Sequence, residues 1–178
     1  MSKIKLALIV ALLAWGSVAC GMSEGQLVGL YVSQMTVYER RVEADAQDLE
    51  RLSASVNAQM SAQEREELVK VLQAQVQRFQ ETLKIVQESQ APKECESLKQ
   101  QYELAFQARV EQSQLFLTYL RDKWQPQGQL DPNVVNEFVR ASQELEEKTM
   151  QSEERIRQDK IVLARQYKEV QVPEVVND

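Results

Sequence analysis

Apolar residues return at alternating intervals of three and four along most of this chain, the spacing that lays one stripe down a helix. The first stripe runs from Val28 through Tyr31, Met35 and Val42 to Val56, with Asp45 as its charged member. A second runs from Val69 through Leu72, Val76 and Phe79 to Val86. The third joins Cys95, Leu98, Tyr102, Ala105 with Phe106, Arg109, Ser113, Phe116 and Leu120. The fourth is weaker: Val135, Phe138, Ser142, Leu145, Thr149, Ser152, Ile156, then a gap to Leu163 and Tyr167.

The breaks between stripes are chemical. Ser23 with Gln26, and Ser61 with Glu64, have the spacing of capping boxes that open helices. Pro92 suits a first helical position, as does Pro132 behind an Asp131 cap. The run from Arg121 to Pro132 holds two of the four prolines and the last glycine, and reads as the longest loop. The pattern therefore predicts helices over about 24–57, 62–89, 92–121 and 132–169, with a flexible tail at 171–178. Glu66–Lys70, Glu144–Lys148 and Glu153–Arg157 are spaced to pair along exposed faces. Four long helices on short links predict an all-α fold, an elongated antiparallel four-helix bundle over residues 25–170. The regular heptads leave a long coiled-coil dimer as the alternative.

Composition narrows the chemistry. The 178 residues include no His, which removes the commonest general base and metal ligand. Two Cys without a C-x-x-C spacing give no cysteine metal site, and no glycine-rich phosphate loop is present. The acidic glutamates, such as Glu64, Glu66 and Glu67, fall mostly off the stripes and read as solvated faces. The expectation is a chain with no catalytic residues, no cofactor and no metal. A formal net charge of −6 argues against nucleic acid, whose phosphates call for clustered Lys and Arg.

The start of the chain has its own pattern. Lys3 and Lys5 precede an unbroken apolar run, Leu6–Trp15, followed by small residues. That is the layout of a secretory signal peptide over 1–19, and ten apolar residues are too short for a bilayer span. Ser17-Val18-Ala19-Cys20 resembles the lipobox of bacterial lipoproteins. The resemblance implies that Cys20 becomes the first mature residue and carries acyl chains, with residues 20–24 as a tether. Gly21 in second place implies sorting to the outer membrane where there is one. Ser-Val-Ala also suits an ordinary signal peptidase cutting at the same bond. Cleavage would leave 19 Lys+Arg against 27 Asp+Glu, net −8, so attachment to an anionic membrane would rest on lipid.

Four further residues carry candidate roles. Asp45 and Arg109 interrupt stripes on helices that run parallel across a bundle, so they could meet as a core polar pair; the alternative is that each reaches water at the stripe's edge. Cys95 is either a small buried hydrophobe or, in an oxidising envelope, a redox-sensitive or interchain thiol. Trp124, in the long loop, is either a cap on the bundle or a partner anchor. The expected function is that of an envelope-anchored, non-catalytic helical lipoprotein making protein contacts, with an unknown envelope protein as partner. Small-molecule or lipid binding within the bundle is the alternative, the weak fourth stripe leaving room.

Overall fold

A computed structural model describes residues 21–56, 60–123 and 132–171. The expected signal segment, Cys20, Asp131, Trp124 and the tail beyond Gln171 lie outside the described residues. Those described are all-helical, in four long helices: α1 (Glu24–Ser55), α2 (Ala62–Glu88), α3 (Glu96–Thr118) and α4 (Pro132–Gln166).

The helix starts follow local hydrogen bonding. Ser23 N–H donates to Gln26 Oε1 at 2.9 Å, and Gln26 N–H donates to Ser23 Oγ at 3.3 Å. The Ser61–Glu64 box is closed likewise, at 2.7 and 3.2 Å. Each box satisfies donors that a helix start leaves without partners. Pro92 corrects the expectation: its ψ of 150° is extended, and it opens a short 3₁₀ turn, Lys93–Cys95, from which α3 begins at Glu96. Cys95 N–H donates to Pro92 O at 2.8 Å, so the proline's carbonyl, not its helical φ, does the work. Lys99 Nζ ties this corner down, donating to Gln87 O and Ser89 O at 2.9 and 2.8 Å, two carbonyls at the end of α2. At its far end α3 widens into a π turn, Tyr119–Lys123. α4 stops at Gln166, three residues before the expected end, because the chain turns to bring Val170 into the core at 6% exposure.

Bonded pairs give the topology. Asp45 meets Arg78, Lys99 meets Gln87, Arg109 meets Glu153, and Glu39 meets Lys160. With Tyr31 also meeting Ser89, Arg65 meeting the carbonyl of Leu120, Ser97 meeting Asp159 and Tyr167 meeting Glu24, each sequential neighbour runs antiparallel, and α4 returns antiparallel to α1. Tyr102 reaching Glu39 places α3 parallel to α1 across the bundle. α3 packs most extensively, on α4 and then on α2, and buries residues well beyond one stripe, including Gln101, Ala108 and Val110.

Two cores result. The larger one, at the end where α1 begins, is built on Tyr31, Met35, Phe79, Tyr102 and Phe106, and α4 supplies Ile156, Leu163 and Val170 to it. The smaller one, at the opposite end, joins Leu49, Met60, Leu68, Leu72, Phe116 and Leu120, and α4 gives it only the half-buried Phe138. The turn that follows α4 approaches α1 closely at the first end. At Gly29 an added Cβ would lie 2.8 Å from the carbonyl oxygen of Glu169, so the glycine admits that backbone.

Candidate functional site

Charge marks where α1 and α4 join. Lys160 on α4 is 6% exposed, and its ammonium donates to Glu39 Oε2 on α1 at 2.5 Å. The same oxygen accepts from the Tyr102 hydroxyl of α3 at 3.1 Å, and the ammonium stands 5.6 Å from the Tyr102 ring centroid. Three helices thus share one desolvated ion pair. Burial, and then the neighbouring Glu39 carboxylate, push the Tyr102 hydroxyl well above the usual phenol range. It is a donor here and not an acid, and the cluster is a structural clasp.

Beyond the clasp the two helices leave an open groove of about 730 Å³, with α3 as its floor. Leu49, Phe116, Tyr119 and Phe138 give it an apolar base, with the Phe138 ring 4.6 Å from Tyr119 and 6.1 Å from Phe116. Val135 and Val139 form the α4 lip, Val139 being 44% exposed. The lining is acidic: Glu43 and Glu50 on α1, Glu146 and Glu153 on α4. Arg109 is the only basic lining residue among those described, and it is engaged, with Nη2 3.1 Å from Glu153 and Nη1 3.3 Å from Gln112 Oε1. Burial first, then the Glu39 and Glu153 charges, raise the Glu43 carboxyl above its usual range. The groove runs along α4 from Val135 to Glu153, about 27 Å at 1.5 Å per residue. Its volume spread over that length is a channel about one side chain wide.

The expected Asp45–Arg109 pair does not form, because each residue finds a nearer partner. Asp45 turns to α2, where Arg78 Nη2 and Nε reach its Oδ1 at 2.7 and 3.0 Å and the Gln75 amide donates to its carbonyl oxygen. Arg109 turns to α4 and lines the groove. Of the expected surface pairs Glu66–Lys70 forms at 3.1 Å, whereas Glu153 is taken by Arg109 and Arg157 binds Glu154 instead, at 2.7 Å. Cys95 is fully buried and unpaired, and burial, then Glu94, push its thiol up to about 12. A thiol so held is a poor nucleophile and out of reach of a second chain, which favours the core reading over the redox one. The proposed roles of Cys20 and Trp124 fall outside the described residues.

The stripes point to none of Glu39, Lys160 and Glu43, and Glu146 falls among the glutamates that read as a solvated face. One signal was present: the seven-residue gap between Ile156 and Leu163 leaves an inward position that only Asp159 or Lys160 can fill. Among the described residues no group of acidic or thiol side chains could hold a metal ion, and no helix is long and apolar enough to cross a membrane. In comparisons with known proteins, no family model, no curated protein and no solved structure matches the chain.

Proposed function

We propose that the chain is an envelope-anchored, non-catalytic helical lipoprotein whose bundle recognises another protein through the groove between α1 and α4. The observation that carries the reading is the second core, left without an α4 wall except for Phe138, with an open channel of apolar base and acidic rims in that place. A helix lays an apolar row into such a channel. The lipobox-like Cys20 stands four residues before Glu24, so an acyl anchor would hold the start of α1 within about 14 Å of the membrane. The groove would then start at Glu43, about 30 Å further out along α1, facing the aqueous space. The buried Tyr102, Lys160 and Cys95 have structural roles among the described residues, which fits a binding protein better than an enzyme.

A small molecule or lipid is the second reading, favoured by a volume inside the usual ligand range of about 300–1,000 Å³. The open, drawn-out shape favours the protein reading, since small-ligand sites cover most of the ligand's surface. The test is photo-crosslinking of the full-length protein in its native membranes from a probe at Val139. A single protein adduct at Val139, absent from a probe at Val162 (49% exposed and outside the groove lining), supports the reading. Labelling of lipid alone would replace it with the second.

A further inference from the structure

We infer that the groove takes a basic amphipathic helix of another protein, about 15–18 residues long, with one apolar row flanked by Lys or Arg. The inference rests on reading the groove as a protein site and adds the chemistry of the occupant.

Shape sets the kind of segment. A channel one side chain wide, about 27 Å long on the α4 wall and about 20 Å on the α1 wall, accepts a single row of knobs from about four to five helical turns. An extended strand would need free backbone donors and acceptors along the walls, and both walls are helices whose backbone groups bond internally. The base is apolar and aromatic, the composition that anchors a partner's Leu or Phe.

Charge sets the sign. Glu43 and Glu146 stand on opposite walls with no ion pair among the described residues, and Glu153 holds the only basic lining residue. Burial and the neighbouring Glu39 and Glu153 carboxylates raise the Glu43 carboxyl, so negative charge is crowded on this side of the groove. An acidic occupant would add like charges to both rims, whereas flanking Lys or Arg would relieve them. This also disfavours a second copy of this chain, which is acidic overall, as the groove's occupant.

The test uses the full-length chain with a photo-crosslinker at Val139 and three synthetic 18-residue probes: a Leu/Lys amphipathic helix, the same composition scrambled, and a Leu/Glu amphipathic helix. The expected result is at least tenfold more labelling by the first than by either of the others. Labelling by the first should fall three- to tenfold in the Glu43→Gln/Glu146→Gln variant. Equal labelling by the basic and acidic helices, or by the basic helix and its scramble, would overturn the inference and leave a protein groove of other specificity. Failure of every probe to label would overturn the inference and the protein reading together.

Discussion

Glu39 and Lys160, 121 residues apart, form a largely buried ion pair that joins the first helix to the last, and the Tyr102 hydroxyl completes it. The Lys160 side chain is 7% exposed and that of Glu39 is 23% exposed, so the two are not equivalent. Losing Glu39 strands an ammonium with no route to water, while losing Lys160 leaves a carboxylate that still reaches solvent. Glu39→Ala should therefore cost about 3–5 kcal/mol. Lys160→Met should cost clearly less, and Glu39→Leu/Lys160→Met should recover most of the loss. Urea unfolding of the three variants checks the order; equal losses from the two single changes would contradict it.

A double-mutant cycle separates the observed pairing of Asp45 from the one its stripe position suggested. Asp45 with Arg78 should couple by up to about 1 kcal/mol, the range for partly exposed pairs. Asp45 with Arg109 should show no coupling within error, since their partners lie on different helices.

Two glycines on α1 meet the same residue and should respond differently. At Gly29 a Cβ would lie 2.8 Å from the backbone oxygen of Glu169, which is held by the chain reversal that buries Val170. Gly29→Ala should cost about 1–3 kcal/mol, outweighing the better helix propensity of alanine. At Gly25 the clash is with the Glu169 carboxylate, the far end of a flexible side chain. Gly25→Ala should be neutral or stabilise by up to about 1 kcal/mol. Thermal unfolding of the pair reads the contrast directly.

Glu43 makes a pH-dependent prediction. Its folded carboxyl is raised above the ordinary 4.5, so the unfolded chain releases that proton more readily than the folded one. Its contribution is most favourable below pH 4.5 and is lost as the pH rises through the raised value, leaving a penalty at neutrality. Glu43→Gln should stabilise the protein at pH 7, by no more than about half a kcal/mol after solvent screening. The advantage should vanish by pH 4, as melting curves at the two pH values would register.

Much of the fold was legible because three-and-four spacing and capping boxes are local signals. Ser23 with Gln26 and Ser61 with Glu64 bond as their spacing implied, and every member of the third stripe is buried except Arg109, which is half-buried. Spacing marks a residue's level along a helix but not which neighbour stands beside it. The stripes match Asp45 to the diagonal helix, whereas its partner is Arg78 on the adjacent helix, which lies off its own stripe and so has no periodic signal. Lys160 escaped because stripes were counted in apolar residues, and a charge takes an inward position only when a partner such as Glu39 is supplied from elsewhere in the chain. The groove was legible only as weakness, in Ser142 of the fourth stripe. Its form depends on α4 closing on α1 at the Lys160 clasp and not beyond it.

The measurement that bears most directly on a protein-binding groove is thiol labelling in place. Val139→Cys, read from its own labelled peptide so that Cys20 does not count and with Cys95 buried, should label readily in the purified full-length protein and be protected in intact native envelopes. Val162→Cys, outside the groove lining, should label equally in both. Equal reactivity of Val139→Cys in both settings would mean that the groove stands empty where the protein works, and would contradict the account.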